Sequence, residues 1–151
     1  MMREILFRGK CVDTGIWYEG YYIHLHKTTY CFTSDYDKHP DNDIHQIVIE
    51  RMTDWGLPNQ HYRVDVDPKT VGQFTGLADK NGKKIFEGDI VRYMNKETMV
   101  VVWNKDSASF VIAYSAINFN YLATISNGHI YLEVIGNIHD NPELLGGAAD
   151  G

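Results

Sequence analysis

The stretch GQFTGLADKNGKKIFEGDIVR, from Gly72 to Arg92, predicts a tight turn between two apolar segments, followed at once by a strand. Asn81 and Gly82 supply the positive backbone φ angles that a tight turn requires. Gly88 allows the backbone to bend sharply into the next strand. These residues indicate a structural role for the stretch, and they place a hairpin in the middle of the chain.

Two carboxylates stand beside this bend. Glu87 and Asp89 are two residues apart, and a pair of carboxylates can do acid–base chemistry. Asp also commonly accepts hydrogen bonds from the backbone amides of turns. We prefer the second interpretation for Asp89, which joins the predicted structural turn residues Asn81, Gly82 and Gly88.

The sequence downstream of the hairpin continues as short strands. Residues Thr98 to Trp103, TMVVVW, are apolar on both faces, which is typical of a central strand. Several short runs between about residue 85 and residue 139 are joined by tight turns, and this order suits a small SH3-like barrel. The segment Ala116–Ala123 is expected to be a short helix or irregular, and Asn127-Gly128 is a hairpin signal.

The sequence upstream of the hairpin also predicts strands. Ile16–Leu25 is rich in aromatic and β-branched residues. Thr28–Thr33 is predicted to be a strand, and Ser34–Asp43 a polar acidic loop. We therefore expect a mainly β protein with a β-rich region at residues 1–70, an SH3-like barrel at residues 71–145 and a flexible tail at residues 146–151.

Composition excludes several classes of protein. The chain has 151 residues, 44% of them hydrophobic, and a net charge of −6, which indicates a folded domain that does not coat nucleic acid non-specifically. The N-terminal residues lack the long apolar core of a signal peptide, and no stretch approaches a membrane helix. We expect a cytoplasmic protein with no membrane partner, in which Cys11 and Cys31 stay reduced.

Seven histidines raise the question of a metal site. His24 and His26 would share one face of a strand, and Cys31, His39 or His45 could join them. Their spacing matches no compact zinc signature. We interpret the histidines as a solvated strand face, and predict neither a metal nor a cofactor.

An acidic loop fits calcium no better. Four aspartates alternate with other residues: Asp35, Asp37, Asp41 and Asp43. A calcium loop that began at Asp35 would need Gly at its sixth position and Glu at its twelfth, but Pro40 and Gln46 stand there. The loop is interpreted as a solvated acidic segment.

A small basic spot is the candidate nucleic-acid site. It consists of the three lysines beside the turn and one arginine of the following strand: Lys80, Lys83, Lys84 and Arg92. Cations combined with an aromatic such as Trp103 are typical of single-strand-binding surfaces. Three lysines are few for phosphate binding, so an exposed charged hairpin is the preferred interpretation.

Three blocks of the sequence resemble the YopX family. They are FRGK at Phe7–Lys10 with GIWYEGYYI at Gly15–Ile23, VGQFTGLADKNGKKIFEGDIV at Val71–Val91, and EVIGNIHDNPELL at Glu133–Leu145. The resemblance implies a mainly β protein of bacteriophages and of prophages in Gram-positive hosts. No catalytic residues are assigned to that family, so none is carried over.

The function expected from these observations is non-catalytic binding by a phage or prophage accessory protein. A phage or host protein is the first candidate partner, and nucleic acid is the second. A second copy of the chain is a further candidate. No enzyme motif such as a GxSxG elbow occurs.

Overall fold

The computed structural model describes residues 2–94, 97–113, 119–121 and 131–146, with side chains left out for 119–121 and 146. The chain divides into two compact units. One unit is Leu6–Val71, and the other combines the residues before it with the chain from Gly72 onward. Both units are mainly antiparallel β, as the sequence predicts. Among the described residues, no helix is long and apolar enough to cross a membrane.

The first unit is an antiparallel meander whose strands lie in the order β4-β3-β2-β1. The strands are β1 (Phe7–Lys10), β2 (Trp17–His26), β3 (Asp43–Arg51) and β4 (Gln60–Asp65). Between β2 and β3 lie helix α1 (Thr33–Lys38) and a 3-10 turn at Pro40–Asn42, and a second 3-10 turn follows β4 at Pro68–Thr70.

Gly20 allows the meander to pack closely. A Cβ at this position would lie 2.1 Å from the carbonyl oxygen of Val48 and 2.9 Å from Cγ2 of Ile47. Ile47 is fully buried, and Val66 is buried close to Gly9. Any side chain at Gly20 would therefore force β2 away from β3 at the centre of the unit.

The strand predicted at Thr28–Thr33 is wrong. The segment is irregular, and α1 begins at Thr33. Its backbone groups bond to side chains in place of a neighbouring strand: Asn42 Oδ1 accepts from the Thr28 amide at 2.8 Å, and the Tyr36 hydroxyl accepts from the Tyr30 amide at 3.0 Å. The loop predicted at Ser34–Asp43 is wrong as well, because this segment contains residues 34–38 of α1 and the 3-10 turn at Pro40–Asn42.

The second unit contains a hairpin and a five-stranded antiparallel sheet. The hairpin pairs β5 (Gly72–Ala78) with β6 (Lys84–Phe86). The sheet has the order β10-β9-β8-β7-β11, and a short helix α2 (Glu143–Gly146) follows it. Its strands are β7 (Asp89–Tyr93), β8 (Glu97–Asn104), β9 (Ser109–Ala113), β10 (Phe119–Tyr121) and β11 (Leu132–Asn137).

The core of the second unit gathers apolar side chains from the hairpin and from four strands of the sheet. The buried members are Ile85, Val91, Met99, Val101, Ile112, Leu132 and Val134. β8 lies in the middle of the sheet, as its two apolar faces predict. The core forms because alternate residues of β7, β8 and β11 point to the same side.

The finer features expected of the second unit have mixed outcomes. Among the described residues the five-stranded sheet is open, so closure into an SH3-like barrel is not confirmed. Residues 119–121 form β10, a strand where a helix or irregular segment was expected, because they pair with β9. The other residues of the segment Ala116–Ala123 are outside the described residues. The Asn127-Gly128 turn is also outside them. Of the tail predicted at residues 146–151, Gly146 ends α2 and the rest lies outside the described residues.

Candidate functional site

A histidine–carboxylate cluster lies where β2 meets β3. The antiparallel register places His24 directly opposite His45, and His26 directly opposite Asp43. His24 and His26 are two residues apart on one strand, as are Asp43 and His45 on the other, so all four side chains share one face. We call His24, His26, Asp43 and His45 the histidine cluster.

The Asp43 carboxylate is the centre of the cluster. Its Oδ1 lies 2.9 Å from Nδ1 of His26 and 3.7 Å from Nε2 of His24. Its Oδ2 lies 4.0 Å from Nε2 of His45. One ligand atom from each of His24, Asp43 and His45 falls within 4.8 Å of the other two. The side chains are partly exposed, so solvent and small ions reach them.

Tyr22 contacts the ring nitrogen of His45 that does not face Asp43. The Tyr22 hydroxyl forms a hydrogen bond with Nδ1 of His45, and the two rings are stacked. Burial, and next the positive charge of His24, lower the pKa of His45, and the charge of Asp43 only partly offsets them. Burial, and then the charge of Asp43, raise the pKa of Tyr22. The arrangement therefore keeps a neutral imidazole beside a protonated phenol near neutral pH.

A chain of aromatic rings continues from the cluster onto α1. His45 stacks on His24 with ring centroids 4.3 Å apart, and His26 contacts the ring of Tyr36 at 4.7 Å. Tyr36 in turn packs against Tyr30. The short helix therefore supports the outer side of the histidine cluster.

The sequence named only some members of this cluster. The structure brings His24, His26 and His45 together and adds Asp43, which the sequence assigned to a solvated acidic loop. His39 is held by ring stacking on Tyr30, and Cys31 is exposed; neither belongs to the three-residue ligand group. The missing signal is the hairpin register, since Asp43 becomes a neighbour of His26 only when β2 and β3 are paired.

Nearby carboxylates offset much of the positive charge of the basic spot. Nζ of Lys80 lies 3.3 Å from Oε2 of Glu133, and Nζ of Lys84 lies 3.7 Å from Oε1 of Glu4. Arg92 on β7 is the register partner of the same Glu133 on β11. These neighbours reduce the positive potential that a phosphate backbone would meet.

Lys83 is next to a further carboxylate, that of Asp79, which was not predicted from the sequence to be a site residue. Asp79 is only 6% exposed, and its Oδ1 accepts hydrogen bonds from the amides of Asn81 and Lys83 at 2.8 and 2.9 Å. Its Oδ2 accepts from the amide of Val134 at 2.9 Å. Asp79 thus closes the turn and ties it to β11. The positive φ predicted for Asn81 is wrong, because the Gly82 amide bonds to the Asp79 carbonyl in this turn and the positive φ falls at Gly82.

The pKa of Asp79 reflects the same contacts. Burial alone would raise the pKa, but the hydrogen bonds from Val134, Lys83 and Asn81 and the charge of Lys83 outweigh burial and lower it. The carboxylate is therefore ionised while it is buried. Its hydrogen bonds are all to the protein's own backbone, which is the pattern of a structural group.

The remaining turn residues surround the start of β7. Gly82 and Gly88 have φ angles of +81° and +89°, a region that favours glycine. Oδ2 of Asp89 accepts a hydrogen bond from the amide of Phe86 at 2.8 Å, and Asp89 is 1% exposed. Burial raises the pKa of its neighbour Glu87. Since Asp89 is enclosed, the two carboxylates do not form a pair that a substrate could approach.

A second surface feature was not predicted from the sequence. The loop between β3 and β4, residues 52–59, exposes three large apolar side chains, which we call the hairpin tip. Trp55 is 99% exposed, Met52 88% and Leu57 60%. Residues 54–59 read DWGLPN, and the Gly and Pro in this pattern indicate only a break between two strands. A turn pattern does not show whether its apolar residues are covered.

Taken together, these features define a small, mainly antiparallel β protein of two units, with a histidine cluster on one sheet and an apolar hairpin tip. The YopX protein family model matches residues 6–146, and the chain belongs to the YopX family. The crystal structure of protein EF1440 from Enterococcus faecalis is similar in fold, with a TM-score of 0.54 and 22% sequence identity over 95% of this chain and 99% of that one. No curated protein matches the chain significantly.

Proposed function

We propose that the protein is a non-catalytic interaction module of a phage or prophage, which binds a phage or host protein in the cytoplasm of the bacterial host. The observation that carries this proposal is the hairpin tip, with Trp55, Met52 and Leu57 exposed together on one short loop. Large apolar side chains grouped on a surface are typical of protein–protein contact sites.

The hairpin tip is held in shape by its own hydrogen bonds. The Leu57 amide donates to the Asp54 carbonyl at 3.0 Å, and the Thr53 hydroxyl donates to the Pro58 carbonyl at 2.9 Å. Gly56 adopts a φ of +80° between them. A loop that is already ordered loses less conformational entropy when it binds. Trp is also among the residues that most often dominate the energy of an interface.

Two carboxylates that could have served as catalytic groups have structural roles instead, which supports a protein without catalysis. Asp79 and Asp89 are buried and accept hydrogen bonds from backbone amides, so neither can reach a substrate. The resemblance to the YopX family likewise supplies no catalytic residues to carry over. Both points favour binding over catalysis.

The SH3-like barrel remains part of this proposal. The meander β7-β8-β9 and the return of β11 beside β7 support it, because small barrels use short strands joined by tight turns. An experimental structure that covers residues 114–130 is the test. Backbone pairing between β10 and β11, the two edge strands of the sheet, would close the barrel. Edge strands that remain unpaired in such a structure would contradict the barrel.

The partner is tested by affinity capture from phage-infected host extract, followed by binding measurements with the purified partner. Trp55→Ala should lower affinity at least about thirtyfold, which corresponds to the loss of about 2 kcal/mol that defines a hot spot. Tyr21→Ala is the matched control, since Tyr21 is also an exposed aromatic of the same unit. Neither substitution should change thermal stability by much, because both side chains are exposed.

Two outcomes of the binding experiment contradict the proposal, and a sedimentation measurement on the pure protein can redirect it. A partner that binds Trp55→Ala as tightly as the parent removes the hairpin tip from the interface. If Tyr21→Ala lowers the affinity as much as Trp55→Ala does, the interface is not confined to the hairpin tip. Concentration-dependent sedimentation of the pure protein, abolished by Trp55→Ala, identifies the partner as a second copy of the chain.

Nucleic-acid binding is the second candidate, favoured by the exposed Trp103 in the same unit as the lysines. We expect little affinity for labelled DNA oligonucleotides near physiological salt, because the protein carries a net charge of −6 and Glu133 and Glu4 offset Lys80 and Lys84. Micromolar binding that weakens with salt and disappears when Lys80, Lys83 and Lys84 are changed to Gln would favour this alternative.

A further inference from the structure

We propose that His24, Asp43 and His45 form a binding site for a divalent first-row transition-metal ion, such as Zn²⁺ or Co²⁺. None of these ligands belongs to the hairpin tip, so a failed test of metal binding leaves the proposed function unaffected, and the reverse also holds. It also differs from the sequence-based prediction of no metal, which used the spacing of His and Cys along the chain.

The ligand atoms are close to the distances that a metal requires. Zinc bonds to imidazole nitrogen and carboxylate oxygen are about 2.0–2.1 Å, so two ligands of a tetrahedral ion lie about 3.3–3.4 Å apart. The observed separations are 3.7 Å from His24 Nε2 to Asp43 Oδ1 and 4.0 Å from His45 Nε2 to Asp43 Oδ2. These two distances end on different oxygens of Asp43, but one ligand atom from each residue lies within 4.8 Å of the other two, so side-chain rotations alone bring two imidazole nitrogens and one carboxylate oxygen onto one ion.

The backbone holds these ligands in register. His24 and His45 are opposite each other on two hydrogen-bonded strands, and Asp43 is two residues from His45 on the same strand. Ligands carried by paired strands keep their spacing better than ligands on loops. No rearrangement of the chain is needed to assemble the set.

Two neighbouring groups orient the ligands. When Nε2 of His45 binds the metal, its Nδ1–H donates a hydrogen bond to the Tyr22 hydroxyl oxygen. A ring nitrogen of His26, Nδ1, lies 2.9 Å from Asp43 Oδ1 and holds the carboxylate in place. Metal-binding histidines and carboxylates usually have such partners, which fix their orientation.

The chemistry of the set selects the ion. Two imidazoles and one carboxylate suit Zn²⁺, Co²⁺, Ni²⁺ or Cu²⁺, whereas Mg²⁺ and Ca²⁺ prefer all-oxygen sites. Three protein ligands leave at least one coordination position for water, because these ions take four or more ligands. The partial exposure of His24 and Asp43 gives solvent access to that position.

The test uses the full chain without an affinity tag, treated with chelator and then titrated with Zn²⁺ and Co²⁺ by calorimetry. We expect one ion bound per chain with micromolar or tighter affinity, and no comparable binding of Mg²⁺. His24→Gln, Asp43→Asn and His45→Gln should each lower the affinity at least about tenfold, because the loss of a ligand should cost no less than the loss of a group that only orients one, which is roughly tenfold or more. His61→Gln is the matched control, an exposed histidine on β4, and should bind as the parent does.

A second measurement uses the unmodified protein and so does not depend on the folding of the variants. Zinc should shift the imidazole NMR resonances of His24 and His45 and leave those of His61 in place. The proposal is overturned if no binding is detected, if the three variants bind as tightly as the parent, or if His61 responds to zinc as strongly as His24 and His45.

Discussion

Asp79 and Asp43 carry the same chemical group in two regions of the molecule, and their surroundings differ. The Asp79 carboxylate is buried and accepts three hydrogen bonds from backbone amides of its own unit. The Asp43 carboxylate is partly exposed and faces the imidazoles of three histidines. A carboxylate saturated by backbone donors stabilises the fold, whereas one that faces other ligand groups is available for binding.

The largest effect is expected from Asp79→Ala. The substitution leaves three amides without their acceptor, two of them in the turn and one on β11. Hydrogen bonds to a charged group contribute about 1.5–3 kcal/mol each and are not additive, so we expect the free energy of unfolding to fall by about 3–4 kcal/mol. Urea unfolding measures it, and a loss below about 1 kcal/mol would contradict the structural role of Asp79.

Gly82→Val should have a smaller effect on the same turn. Nothing lies within 4 Å of a Cβ at this position, so the cost comes from the φ of +81° and not from a clash. A β-branched residue in that region costs about 2 kcal/mol. Gly82→Asn is the matched control and should cost less, since Asn tolerates the left-handed region. Equal unfolding temperatures for Gly82→Val and the parent would show that the turn does not require glycine.

A smaller effect still is expected from acid, because protonation of Asp79 leaves its oxygens in place as weaker acceptors. The pKa of Asp79 in the folded state is lower than 3.8, the usual value for an aspartate side chain. Its stabilising contribution is therefore complete above that value and is lost as the pH falls through the lowered folded pKa. Burial raises the pKa of Glu87, which acts in the opposite direction, so the comparison must be made between variants.

The measurement that isolates Asp79 is urea unfolding of the parent and of Asp79→Asn from pH 6 downward. The loss of stability below about pH 4 should be shallower in Asp79→Asn, since that side chain does not titrate. If the free energy of unfolding falls with pH equally steeply in both proteins, groups other than Asp79 cause the acid sensitivity.

The smallest effect on stability is expected from Asp43→Asn. Asp43 is partly exposed and its contacts are with histidines, so its loss should change the free energy of unfolding by no more than about 1 kcal/mol in the absence of metal. The same substitution should nevertheless abolish most of the metal affinity. A large loss of stability in metal-free Asp43→Asn would remove the contrast with Asp79, because Asp43 would then also be a structural group.

The sequence by itself determined the local features whose cause is local. Positive φ at Gly82 and Gly88 follows from the turn chemistry of their own neighbours, and the apolar run of β8 placed that strand in the middle of a sheet. The succession of β7, β8 and β9 through tight turns was also visible in the sequence, whereas the place of β11 beside β7 was not. Family membership was also visible in the sequence, because three blocks occur in order.

Only the tertiary structure decided which distant groups meet. Asp79 Oδ2 reaches the amide of Val134, 55 residues away, and no local pattern indicates that pairing. The segment Thr28–Thr33 lost its predicted strand because Asn42 and Tyr36 satisfy its amides. Asp43 and His26 are likewise 17 residues apart and become neighbours through the register of β2 on β3. Residue spacing along a chain predicts a shared strand face, but it cannot predict a site whose ligands come from two strands until their pairing is known.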